Sequence, residues 1–107
     1  MKLLTRAEEL ILWAVLRLKK EAYCLPIHAE ISRVTDENWS LGSIYMPLDR
    51  LVKKGYLVSR LSDSTPERGG RRKRIYRLTP EGYKALKNAR KVQDRMWEKM
   101  PGKLEDI

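Results

Sequence analysis

Six cations crowd one short stretch of this chain: Arg68, Arg71, Arg72, Lys73, Arg74 and Arg77, with Glu67 the one acid between Pro66 and Arg77. Cations held that close repel one another, and an anionic partner relieves the repulsion. Gly69 and Gly70 allow the segment to turn tightly and bring its backbone against another. The chemistry on offer is electrostatic capture of a polyanion. Phosphates supply affinity without specificity, and arginines suit the narrow, A·T-rich parts of a minor groove. Arg68-Gly69-Gly70 also resembles RNA-binding RGG segments, but those are repeated and disordered, and it occurs here once. Double-stranded RNA fits less well than DNA, because its deep major groove shuts out a helix.

Covalent chemistry has little to work with. His28 is the single histidine and has no neighbouring cysteine or acidic cluster with metal-ligand spacing. Glu8-Glu9 and Glu105-Asp106 are adjacent carboxylates that point apart and make no acid/base pair. There is no GxGxxG, P-loop or nucleophile elbow. The expectation is a non-enzyme with no cofactor and no metal. Cys24 is alone, cannot form an internal disulfide, and reads as a buried structural thiol in a reducing compartment.

The net charge of +9 over 107 residues favours nucleic acid over an anionic membrane. The longest apolar run, Leu10 to Leu16, is seven residues, against the roughly 20 that span a bilayer. The opening residues turn acidic at Glu8-Glu9, where a signal peptide is apolar. A cytoplasmic protein is expected.

The basic segment must be positioned by flanking elements. Thr5-Arg6-Ala7-Glu8 has capping-box spacing and starts a helix predicted to reach Lys20. Its middle is apolar around most of its circumference, so it should pack on two sides. Tyr23-Cys24-Leu25 reads as a short extended stretch, and Pro26 opens a second helix that ends near Thr35. Trp39 is expected to pack under the turn that follows. Ser40 caps a third helix, Leu41 to Lys54, stopped by Gly55. Leu41, Ile44, Leu48 and Leu51 form its apolar stripe, opposite Gly42, Ser43, Met46, Arg50 and Lys53. Pro47 interrupts its hydrogen bonding and should bend it. Tyr56 to Leu61 and Arg74 to Leu78 read as the two strands of a hairpin whose tip is the basic loop. Thr79-Pro80-Glu81 then starts a last helix, predicted to run to Met100 before Pro101-Gly102, with a thin seam of Leu86, Ala89, Val92, Met96 and Met100.

Two helices joined by a turn and followed by a hairpin make a winged helix-turn-helix, so the fold class is mainly α with a small β-hairpin wing. In that arrangement the second helix of the pair enters a major groove. Candidate DNA-binding residues are Ser40, Gly42, Ser43, Tyr45, Met46, Arg50 and Lys53 on the third helix. On the wing they are Arg68, Gly70, Arg71, Arg72 and Lys73. The short side chains at the helix start let its backbone amides approach a phosphate. Ser43 and Met46 face base edges, whereas Tyr45, Arg50 and Lys53 are better placed for backbone contact. The competing reading is a winged helix that meets an acidic protein through its basic hairpin, without sequence-specific DNA binding.

Three segments resemble the PadR family of transcriptional regulators. They are Gly42-Ser43-Ile44-Tyr45-Met46-Pro47-Leu48-Asp49-Arg50-Leu51, then Lys54-Gly55-Tyr56-Leu57, then Gly69-Gly70-Arg71-Arg72-Lys73-Arg74-Ile75-Tyr76-Arg77-Leu78-Thr79-Pro80-Glu81-Gly82. Their order and spacing cover nearly the whole chain, and a proline inside the third helix is common in that family. The resemblance implies a short-type member: a DNA-binding domain over 1–79 and a C-terminal dimerisation helix and tail over 80–107. It implies a homodimer built from the first and last helices, here Leu10, Trp13, Leu86, Ala89, Val92, Met96, Trp97 and Met100. It further implies repression at a pseudo-palindromic operator, with release by a small aromatic or drug-like ligand. An effector pocket would lie near Trp13, Met96 and Trp97, although as residues these read first as plain hydrophobic packing.

Overall fold

A computed structural model describes residues 2–63 and 72–106. In chain order come α1 (Arg6–Leu18), a 3₁₀ turn (Lys19–Glu21), α2 (Cys24–Thr35), α3 (Leu41–Lys53), β1 (Leu57–Leu61), β2 (Arg74–Leu78) and α4 (Pro80–Trp97), with a last 3₁₀ turn at Leu104–Asp106.

The start of α1 is the capping box its sequence implies. The Thr5 hydroxyl accepts from the Glu8 amide at 3.1 Å, and the Glu8 carboxylate accepts from the Thr5 amide at 2.8 Å. Ile11, Leu12, Ala14 and Val15 are buried, while Trp13 and Leu16 stay exposed on the other side. The helix therefore carries two apolar faces, one of them used in the chain's own core.

The extended stretch expected at Tyr23-Cys24-Leu25 is not there, because α2 starts at Cys24 with Tyr23 as its extended N-cap. Proline is tolerated throughout a first helical turn, where no intrahelical N–H bond is made, so Pro26 does not fix the first residue. A remnant of strand character survives one residue earlier: the Ala22 carbonyl accepts from the Tyr76 amide of β2 at 2.8 Å.

In α3 the core stripe is Ile44, Pro47, Leu48 and Leu51, all buried. Leu41 is not part of it and is 51% exposed. Helical side chains lean toward the N-terminus, so a residue in the first position reaches past the helix end rather than over a packed turn. Helix α3 continues unbroken through Pro47. The carbonyl that Pro47 leaves without its i+4 donor is that of Ser43, on the exposed side.

Strands β1 and β2 pair antiparallel, with Leu57 opposite Leu78 and Ser59 opposite Tyr76. Tyr56 precedes the strand rather than starting it. Helix α4 stops at Trp97, three residues before Met100. One core joins the elements: Ile11, Leu12, Val15, Ile27, Ile31, Ile44, Leu48, Leu51, Leu57, Tyr76 and Leu86. The molecule measures 61 × 29 × 20 Å, with a radius of gyration of 16.5 Å. A compact chain of this length has about 13 Å, so the molecule is elongated. A helix pair followed by an antiparallel hairpin, packed on one core, is a winged helix.

Candidate nucleic-acid interface

Helix α3 is fixed at both ends. At its start the Ser40 hydroxyl accepts from the Ser43 amide at 3.1 Å and lies 2.7 Å from the Ser43 hydroxyl. The turn before it is held by side chains. Trp39 Nε1 donates to Thr35 Oγ1 at 2.9 Å, Thr35 Oγ1 donates to the Ile31 carbonyl, and His28 Nε2 bonds the Trp39 carbonyl. Asp36, at φ 55°, takes the left-handed position that ends α2. At the far end Lys54, the C-cap of α3, reaches back to Glu8 in the first turn of α1 with Nζ 2.6 Å from Oε2. Glu8 is 0% exposed, the only charged residue in the core among those described. Burial raises its pKa, but the Lys54 ammonium and the Thr5 groups outweigh that and hold the carboxyl below its ordinary value.

The exposed face of α3 carries Gly42, Ser43, Tyr45, Met46, Arg50 and Lys53. A Cβ added at Gly42 would meet nothing within 4 Å. Nothing inside the protomer requires glycine there, and the bare backbone is available to something outside it. Lys53 pairs with Asp49 at 3.0 Å, an exposed i,i+4 contact that leaves the ammonium free to exchange partners.

The hairpin is held against this helix by α4. Thr79 caps α4 by accepting from the Gly82 amide at 3.0 Å, and its hydroxyl donates to the Gly55 carbonyl at 2.7 Å. Gly82 lies so close to Tyr56 that a Cβ there would sit 2.1 Å from the Tyr56 carbonyl oxygen. Beyond Leu61 the hairpin continues, with the Ser62 amide donating to the Lys73 carbonyl at 2.7 Å. Tyr45 of α3 lines the same cleft as Arg72, Lys73 and Arg74 at the base of the wing. One edge of the α3 face, at Tyr45, and the cationic start of β2 thus border one cleft. Arg68, Gly70 and Arg71 lie outside the described residues.

The candidate self-association residues separate into two groups. Leu86 is buried in the protomer's own core and offers no surface; Leu10, Ala89 and Val92 are half-buried. Trp13, Met96, Trp97 and Met100 are exposed, Met96 and Trp97 at 68% and 64%. Trp13 borders a cleft of about 260 Å³ with Ala14, Arg17, Ile31 and Val34, in which Met96 and Trp97 take no part. Cys24 is half-buried, and burial pushes its thiol pKa up, away from reactivity. Sequence reasoning passed over the Glu8–Lys54 pair and the bracing roles of His28, Thr35 and Gly82. A threonine three residues before a glycine was the one local hint.

A supported helix pair with a bare helix face and a basic hairpin strand beside it defines a winged-helix DNA-binding regulator. The Transcriptional regulator PadR-like family matches residues 12–88. The chain belongs to that family, whose members are DNA-binding transcriptional regulators. Among solved structures it is similar to a transcriptional regulator from Clostridium thermocellum, at 27% identity over 84% of this chain and 82% of that one, with a TM-score of 0.68. It is similar also to a PadR family regulator from Clostridium difficile, at 29% identity over 86% and 91%, with a TM-score of 0.67. A PadR-like transcription factor from Bacteroides fragilis gives 25% identity over 85% of each chain and a TM-score of 0.67. Curated proteins yield no match. Among the described residues no helix is long and apolar enough to cross a membrane.

Proposed function

We propose that the chain is a homodimeric, sequence-specific repressor acting on double-stranded DNA in the cytoplasm. Each protomer sets α3 into a major groove, and its wing lies along the adjacent backbone and minor groove. The carrying observation is the cleft shared by Tyr45 and Arg72–Arg74, which puts the helix face and the wing base on one side. A two-fold dimer then presents two such surfaces to half-sites about one helical turn apart. Self-association through Trp13, Met96, Trp97 and Met100 is supported by the exposure of all four. Release by a planar aromatic ligand is assigned to that same interface, next to Trp13.

Selection of fragments from random duplexes, followed by titration against salt, tests the reading. Ser43→Glu puts a carboxylate against phosphate and abolishes binding with the helical circular dichroism unchanged. Arg71→Ala with Arg72→Ala lowers the log–log salt slope by roughly 2, because each arginine neutralises one phosphate. A protein that enriches no fragment over bulk DNA is an interaction module instead.

A further inference from the structure

A cleft of about 340 Å³ opens where the first turn of α2, the exposed side of α3 and the start of β2 meet. Its lining combines three cations, Arg72, Lys73 and Arg74, with the tyrosines at 23, 45 and 76 and the apolar Cys24 and Leu25. Cys24 and Leu25, the first two residues of α2, line its α2 side, and α2 has no side-chain cap. Thr5, Ser40 and Thr79 cap the other three described α-helices. Pro26 has no N–H, and the first amide returned to the chain is that of Ile27, which donates to the Tyr23 carbonyl at 3.1 Å. The uncapped, positive end of α2 therefore borders the cleft.

Tyr76 supplies the second, independent observation. It is 5% exposed and lines this cleft. Its hydroxyl enters none of the side-chain hydrogen bonds among the described residues and keeps contact with solvent at the cleft, so its donor is free. The charges and phenols that face it are Arg74, Tyr45, Cys24 and Asp49. Asp49, the one acid among them, is paired with Lys53 at 3.0 Å. Lys73 is held at the rim, its ammonium 3.7 Å above the centre of the Tyr23 ring. Arg74 is anchored to Ser59 Oγ at 3.0 Å through one nitrogen, which leaves its other donors free.

We propose that this cleft is a phosphate clamp, in which a non-bridging oxygen of a DNA backbone phosphodiester accepts from the Tyr76 hydroxyl and the first amides of α2. Lys73 and Arg74 meet its charge. The clamp rests on the reading that α3 enters duplex DNA, because Tyr45 of that helix forms one wall. A backbone phosphate is favoured over a free one, since the cleft opens on the face where the helix and wing would bracket a strand. Clamping α2 there, one helix away from the groove, fixes the angle at which α3 enters.

The test uses the full-length protein and its selected operator. Tyr76→Phe removes one neutral donor, so affinity falls roughly tenfold with the salt slope unchanged. Lys73→Gln lowers the slope by about one per protomer. Methylphosphonate substitution, one backbone position at a time, identifies one phosphate per half-site whose neutralisation weakens the wild type and weakens Tyr76→Phe by a smaller factor. Wild-type affinity for Tyr76→Phe, or equal sensitivity of both proteins at every position, overturns the clamp. If Tyr76→Phe does not fold, Lys73→Gln with Arg74→Gln, one half-buried and the other exposed, takes its place in the same scan. Inorganic phosphate that competes beyond chloride of equal ionic strength, with no sensitive backbone position, assigns the cleft to a free anion and overturns the proposal. Loss of binding in Ser43→Glu alongside an indifferent Tyr76→Phe sinks the clamp alone, whereas a wild type that selects no duplex sinks both readings.

Discussion

Lys54→Met cuts the tie between the far end of α3 and the first turn of α1 while keeping the side chain's stem. It leaves Glu8, 0% exposed, with the Thr5 groups alone for company. Removing one member of a buried pair costs about 3–5 kcal/mol. Lys54 is 40% exposed, and solvent screening puts the loss at the lower end, about 3 kcal/mol. In Glu8→Gln the amide oxygen still accepts from the Thr5 amide and Lys54 turns to solvent, so the loss is about 1–2 kcal/mol. The double variant buries no charge and loses about the same as Glu8→Gln. The cycle should therefore close on a coupling of at least about 2 kcal/mol. Urea unfolding followed by tryptophan fluorescence measures it, at fixed protomer concentration because association adds to apparent stability. Acid gives the sign. The carboxyl of Glu8 is held below its ordinary 4.5. Its contribution is complete above that pH and is lost as pH falls through the folded value. In Lys54→Met burial is left to dominate, the carboxyl takes up a proton more readily, and the deficit against wild type narrows on acidification. Additive single costs, with a coupling below about 0.5 kcal/mol, would refute the idea that this pair anchors α3.

Gly82→Ala drives a methyl to within 2.1 Å of the Tyr56 carbonyl, and the resulting shift of α4 should cost about 1–3 kcal/mol in thermal unfolding. A melting temperature equal to wild type would contradict the close approach. Thr79→Val removes both the cap of α4 and the bond to the Gly55 carbonyl, and is expected to lose about 1–2 kcal/mol by the same measurement. Met96→Asp with Trp97→Asp charges the exposed end of α4 and should shift sedimentation from dimer to monomer without loss of helical signal. A persistent dimer would place the interface elsewhere.

Most of the fold was written in local signals. Thr5, Ser40 and Thr79 sit where the three caps form, and the 44, 48, 51 spacing in α3 marks its buried side. Two local readings failed for local reasons. Leu41 has the right spacing but no packed turn behind it. Tyr23-Cys24-Leu25 has strand-like residues but precedes a proline that fits any position of a first turn. What the sequence hid is long-range. Glu8 and Lys54 lie 46 positions apart, and no periodicity links them. Gly82 is needed because of the Tyr56 backbone, a neighbour only after the hairpin has formed. The site shows the same split, since the face of α3 was legible from spacing. That Tyr76 would bring its hydroxyl to a cationic cleft was not, because a tyrosine in a strand reads simply as core.

Helix α1 connects the core, the proposed DNA-reading helix α3 and the proposed dimer. Its inner side, Ile11, Leu12 and Val15, belongs to the core, and Glu8 at its start holds the end of α3. Its outer side, Trp13 and Leu16, is exposed. In the proposed dimer that outer side faces the partner, so one rigid helix has the second subunit on one flank and the DNA-reading helix on the other. Dimer formation and operator binding then share a free energy, and linkage requires each to strengthen the other equally. Weakening the outer flank with Trp13→Ala should raise the protein concentration needed to occupy a full operator. Affinity for an isolated half-site, which one protomer can read, should stay unchanged. Equal losses on half-site and full operator would mean that Trp13 acts through the fold of α1 rather than through a second subunit.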